Sequence, residues 1–199
     1  MNSYQTNAMS TPVSIGIIVV CVAVFLAKNL SPALALWPFG SGFFAPWQLV
    51  SYGFLHGSFN HLFFNMFAVW MFGTHLEKSW GIQRFVTYYA VCVIGAGIMQ
   101  LLVQQIEGGI YPTIGASGGV FGLLLAYGVM WPENRIFLIF LPVPIKAKWF
   151  VLIYGAVELV FGITGSMPGI AHFAHLGGMF FGAGLLYKWG WRPGMTWKR

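Results

Sequence analysis

Apolar residues in this chain fall in long runs separated by short polar breaks. Six runs stand out, at about 13–29, 58–76, 83–104, 117–131, 147–165 and 169–188, each near the ~20 residues that carry a helix across a bilayer. The fourth is the shortest. A glycine-rich stretch, Gly115-Ala116-Ser117-Gly118-Gly119, opens it, and Trp131-Pro132-Glu133-Asn134-Arg135 closes it. The pattern predicts an all-α polytopic membrane protein, a bundle of six transmembrane helices forming one domain over residues 1–199. At 1.5 Å per residue the fourth run rises only ~22 Å, against ~30 Å of hydrocarbon. With its C-terminal end at the cytoplasmic surface, Ser117 would start below the outer surface. The loop before it would dip inward, its backbone buried in protein or facing water.

Composition agrees. The chain is 58% hydrophobic and 7% charged, with a mean hydropathy of +0.74, whereas soluble domains carry about 25% charged residues. Residues 1–11 are polar and lack a Lys or Arg, so the first run reads as a retained span and not as a cleaved signal. Cys21 and Cys92 lie within apolar runs and imply no disulfide framework. The ten basic residues set the orientation. Lys78, Arg84, Arg135, Lys146, Lys148, Lys188, Arg192, Lys198 and Arg199 flank one set of loops, and Lys28 alone flanks the other. This bias puts both termini in the cytoplasm. The loops at 30–57, 105–116 and near 166–170 then face outside. The net charge of +6 is read as this orientation signal, and no nucleic-acid partner is expected.

Runs two, four and six then descend from the outer leaflet, and near their outer ends lie His61, Asn65, Ser117 and His175. Ionisable groups inside a membrane are costly and mark function. No aspartate occurs; the acids are Glu77, Glu107, Glu133 and Glu158. That excludes a Ser-His-Asp triad and a paired-aspartate protease, and no His-Glu-x-x-His zinc motif is present. A serine with a histidine base remains. Ser117 needs activation, and His175 could take its proton and return it to a leaving amine. His61 and Asn65, spaced i and i+4, share a helix face and with the Ser117 N–H could hold an oxyanion. Gly118 with Gly122, and Gly178 with Gly182, are small-xxx-small pairs that let helices approach. Phe121 lies one turn after Ser117 and could stack on His175. His56 and His172 read as interfacial or loop-packing residues. His75, Glu77 and Lys78 read as a solvated or capping cluster, and Glu158, mid-span, as a protonated residue paired across helices or a functional acid, the structural role being favoured and no partner named.

On Gly115-x-Ser117, Ala174-His175-Leu176-Gly177-Gly178 and His61-x-x-x-Asn65, in the right spans and order, the chain resembles the rhomboid family of intramembrane serine proteases over roughly residues 12–190. The resemblance implies a Ser117–His175 dyad and an oxyanion hole of His61, Asn65 and the Ser117 N–H, supported by Gly115, Phe121 and Gly178. It implies no cofactor and no metal. It implies single-span transmembrane substrates cut near the outer face, a gate at span five, and a multi-pass protein of a bacterial inner membrane. Oligomeric state is not readable. Two positions depart from the family. Trp47-Gln48 stands where a Trp-Arg pair is usual, removing a loop-stabilising cation, and Phe121 stands where Tyr is common. The competing reading is a transporter or channel with His61, His172, His175 and Glu158 on a proton or metal path. Such a path needs polar groups through the full depth, and here they concentrate in the outer third.

Overall fold

A computed structural model of the chain describes residues 10–27, 32–138 and 141–191. Lys28 and the C-terminal Arg192, Lys198 and Arg199, used above for orientation, lie outside the described residues. The six apolar runs form helices close to their expected bounds. The first is α1 (Pro12–Leu26). A short α2 (Gln48–Ser51) lies in the long loop. The second run is α3 (Phe59–Ala68), a five-residue π-turn (Val69–Gly73) and α4 (Thr74–Trp80). Then come α5 (Ile82–Glu107), α6 (Ser117–Met130), α7 (Ala147–Thr164) and α8 (His172–Lys188). By length and composition α5 and α7 can each cross a bilayer, while α1 and α6 are apolar but shorter.

One element departs from an all-α architecture. Between α6 and α7, β1 (Arg135–Leu138) pairs antiparallel with β2 (Leu141–Lys146), Arg135 opposite Lys146 and Ile136 opposite Ile145. Pro142 and Pro144 forbid a helix here and leave an isolated two-stranded ribbon as the way to pair the remaining backbone. Glu133 bridges Lys146 at 2.7 Å and also pairs with Lys148 at the base of the ribbon. The two ammonium groups hold its carboxyl down to about 2. A second, small difference is at α8, which starts at His172 and not at 169, because residues 167–170 form a turn closed by a bond from the Ile170 N–H to the Met167 carbonyl.

The bundle is apolar on the outside and partly polar within. Val19, Phe63, Leu102, Ile153, Val160 and Phe180 are exposed, whereas Ser14, Gln48, His56, Asn65, Glu77, Glu158, His172 and His175 are buried. Glu77 shows why a buried charge is tolerated. Its carboxylate accepts from the Val13 and Ser14 N–H groups at 2.9 and 2.8 Å and from the Ser14 hydroxyl at 2.7 Å. These amides belong to the first turn of α1, whose donors have no partner within the helix, and the helix dipole favours an anion there. The expected cluster at 75–78 thus contains a cap, made across two helices.

At the centre, α6 and α8 meet on glycine. A Cβ on Gly178 would overlap the Gly118 carbonyl, and a Cβ on Gly122 would overlap the Cys92 thiol of α5. A Cβ on Gly177 would press on Met99, also of α5, at 2.6 Å. Backbones this close gain dispersion contacts that larger residues would deny.

The long first loop is tied down by a neutral side chain. Gln48, 1% exposed, accepts from the Trp37 N–H at 3.2 Å and donates to the carbonyls of Ala33 and Phe43 at 3.2 and 2.9 Å. The absent cation thus leaves no gap, because an amide both donates and accepts. Leu36 and Thr113 exchange backbone bonds of 3.0 and 2.8 Å, and the Gly115 N–H donates to the Tyr52 carbonyl at 2.9 Å. These bonds clamp the first loop to the loop that leads into α6.

Three substitutions test this packing. Gly178→Ala should lower the midpoint of thermal unfolding in detergent by several degrees, since overpacking costs about 1–3 kcal/mol and each kcal/mol is worth about 2–4 °C at this size. Gly184→Ala, where a Cβ meets nothing within 4 Å, should leave the midpoint unchanged or raise it. Gln48→Leu should remove three hydrogen bonds that hold the half-buried backbone of the first loop, each worth about 0.5–1.5 kcal/mol. Limited proteolysis should then cut between residues 33 and 51 at least tenfold faster than in the parent.

Candidate active site

Ser117 is the first residue of α6, and the turn before it is made possible by Gly115, whose φ of +125° disfavours any side chain. A Cβ there would also lie 2.7 Å from His61 Nε2 and 3.6 Å from Ser117 Oγ. Gly115 is therefore the gap across which the His61 ring and the Ser117 hydroxyl face each other. At the start of α6 the N–H groups of Ser117, Gly118 and Gly119 have no acceptor inside the helix. They form a ready anion-binding turn.

His175 lies on α8, one turn above the Gly178–Gly118 contact. Its Nε2 is 2.8 Å from Ser117 Oγ. The ring is held on its face by Phe121, with centroids 4.3 Å apart and planes 6° from parallel. The expected stack therefore forms without the hydroxyl that a Tyr would add.

The far edge of the ring carries the feature that the sequence did not disclose. His175 Nδ1 is 2.9 Å from Glu158 Oε2. The same oxygen is 2.7 Å from His172 Nδ1, and His172 Nε2 faces the Ser166 carbonyl at 3.1 Å. Glu158 and His172, read from the sequence as structural and loop-packing residues, thus sit directly behind His175. One signal was present: His172 and His175 are spaced i and i+3, which places them on one helix face. Glu158 lies on α7, and no sequence spacing relates it to α8. These three groups also stand close enough together to hold a metal ion, their ligand atoms lying within 4.8 Å of one another.

His61 and Asn65 project from α3 into the same cavity as Ser117 and His175, a space of about 1130 Å³. Asn65 Nδ2 donates to its own helix at the His61 carbonyl, 2.8 Å away, which leaves its second amide hydrogen unused by that bond. His56 lies outside this cavity. It is fully buried and packs edge-on against His61 at a centroid distance of 5.0 Å. Burial, with His61 beside it, pushes the His56 imidazole down to about 4, so it adds no cation near neutral pH. From the polar end the cavity continues along Phe64, Phe67, Met71, Leu124 and Phe150, an apolar wall.

Comparison with known proteins gives this arrangement a context. Residues 44–192 match the family described as Rhomboid domain. The chain is 31% identical over 144 residues to the mitochondrial rhomboid protein 1 of Saccharomyces cerevisiae, covering 71% of this chain and 41% of that protein. It is 33% identical over 136 residues to RHOMBOID-like protein 4 of Arabidopsis thaliana, covering 68% and 32%. It is 28% identical over 188 residues to the rhomboid protease GlpG of Yersinia pseudotuberculosis, covering 88% and 62%. The chain thus spans between about a third and three-fifths of the length of these relatives. With three-quarters of its length inside the family match and Ser117, His175, His61 and Asn65 all within it, the chain belongs to the rhomboid family of integral membrane proteins.

Proposed function

We propose that this protein is an intramembrane serine endopeptidase. The observation that carries the reading is the contact of 2.8 Å between His175 Nε2 and Ser117 Oγ, on a ring whose face and far edge are both held. Ser117 attacks the peptide carbonyl as His175 takes its proton. The developing oxyanion is met by the Ser117 N–H, the His61 ring and the free hydrogen of the Asn65 amide. His175 then returns the proton to the leaving amine, and water repeats the sequence to free the acyl-enzyme.

The substrate on this reading is a single-span transmembrane protein, whose apolar segment suits the aromatic and aliphatic wall beside the polar end of the cavity. The cut falls near the outer face, where small or helix-destabilising residues help to unwind the span. Six spans with cytoplasmic termini follow from the basic-residue asymmetry. The 14-residue α6, rising ~21 Å, keeps Ser117 below the outer surface. A bacterial inner membrane is the proposed location, with the GlpG relatives as support. The transport reading lacks the continuous polar path it needs: the cavity's polar groups gather at one end and its remaining wall is apolar.

The test is cleavage of a model transmembrane substrate by protein purified in detergent. Ser117→Ala and His175→Ala should each abolish the cut, and cleavage at the parent rate in Ser117→Ala would overturn the reading. Asn65→Ala should slow kcat by up to about 10²–10³, softened by the donors that remain. An unchanged rate would remove Asn65 from the oxyanion hole.

A further inference from the structure

We propose that Glu158 is the positioning residue of the nucleophilic site, orienting His175 from behind so that Ser117, His175 and Glu158 act as a Ser-His-Glu relay with His172 holding the carboxylate. The inference rests on the serine-protease reading and adds to it a third member carried on a third helix.

Hydrogen-bond chemistry leads to this assignment. The Ser166 carbonyl can only accept, so His172 Nε2, 3.1 Å away, bears a hydrogen. A contact of 2.7 Å between His172 Nδ1 and Glu158 Oε2 needs a second hydrogen between them. That proton belongs to the His172–Glu158 pair, as imidazolium with carboxylate or as imidazole with carboxylic acid, and the pair is neutral in either form. Oε2 has a further lone pair, aimed at His175 Nδ1 at 2.9 Å, so that nitrogen carries the ring's one hydrogen. His175 Nε2 is left with its lone pair directed at the Ser117 hydroxyl, 2.8 Å off. The carboxylate thereby selects the tautomer in which His175 is a base. An imidazole with the opposite tautomer would present an N–H to the serine and could not take its proton.

His172 has a separate task. A lone carboxylate in this interior would carry a heavy desolvation cost, and His172 offsets it by sharing a proton with the same oxygen. When His175 receives the Ser117 proton, its positive charge forms beside an acceptor oxygen already aimed at its Nδ1. No covalent bond to Glu158 or His172 is made or broken at any stage.

The placement of Glu158 gives the relay a mechanical side. The buried residues of α7 are Ala147, Phe150, Val151 and Glu158. The first three lie at its N-terminal end, so Glu158 is the one buried residue in the C-terminal half of that helix. The outer end of α7 is therefore latched to α8 through the same carboxylate that sets the base. Any displacement of that end from α8 withdraws Glu158 from His175.

The experiment compares the full chain with E158Q, H172Q and E158D in detergent, reading kcat and KM on a model transmembrane substrate, the labelling rate of Ser117 by a fluorophosphonate, and thermal unfolding. E158Q keeps the shape of the side chain and loses the charge. Its kcat should fall about 10²–10⁴-fold, the range for breaking such an orienting pair, with KM within about threefold of the parent and labelling slowed in parallel. H172Q should lose less than E158Q, because the carboxylate remains. E158D should recover at least tenfold over E158Q, and it carries the comparison if E158Q does not fold. A merely structural Glu158 would lower the unfolding midpoint and leave kcat per folded molecule within threefold of the parent, which would overturn the proposal. Loss of parent activity on treatment with a chelator would also overturn it, by making the cluster a metal site. Failure of the protease reading itself is distinguishable, since it requires Ser117→Ala to cleave normally.

Discussion

The contact of α6 with α8 at Gly118 and Gly178 is the constraint on which the rest of the molecule depends. A hydroxyl and an imidazole must approach to 2.8 Å, yet they start on helices with dozens of residues between them. Side chains at the crossing would hold the two axes apart by at least a methyl group. Glycine at 178 removes that group, and the carbonyl of Gly118 fills the vacated space. One turn above, the shared closeness delivers His175 to Ser117. The packing energy here comes from dispersion between backbones, since apolar helices in lipid have no hydrophobic reason to associate.

A second constraint acts on polarity. Buried polar groups in such an interior are costly unless paired, and several here find their partners across elements. Glu77 caps another helix, Gln48 binds a loop to itself, and Tyr52 Oη donates to the Val93 carbonyl at 2.7 Å. Glu158 joins two histidines. These bonds fix geometry as well as satisfying charge, because each would be costly to break where water cannot replace it. Rigidity at the active centre and economy of buried polarity are therefore the same property. On the proposed protease reading, it leaves Ser117, His61 and Asn65 preorganised toward the oxyanion that would develop.

Some of this was legible in the chain before any coordinates. The runs that became α3 with α4, α5, α6 and α7 were bounded to within a few residues, because apolar length in a membrane protein follows bilayer thickness. The pairing of β1 with β2 has no span-length signal in the sequence, because short apolar stretches beside prolines carry none. The pairing of Phe121 with His175 was within reach, as one turn of helix relates Phe121 to Ser117. At Gln48 the sequence shows only the loss of a cation, since it records which group is absent and not which bonds its replacement can form.

What the amino-acid order determined by itself was the inventory and its periodicity: long apolar helices, a serine at a glycine-rich helix start, a histidine over a glycine stripe, and no aspartate to complete a familiar triad. These are local properties, set by spacing along one helix or by the bare list of residues. What only the tertiary structure decided was which acid stands behind the histidine. Glu158 and His175 lie on different helices, and their meeting depends on how α7 leans against α8. No periodicity within either helix encodes that angle, because it arises from packing between surfaces that are distant in sequence.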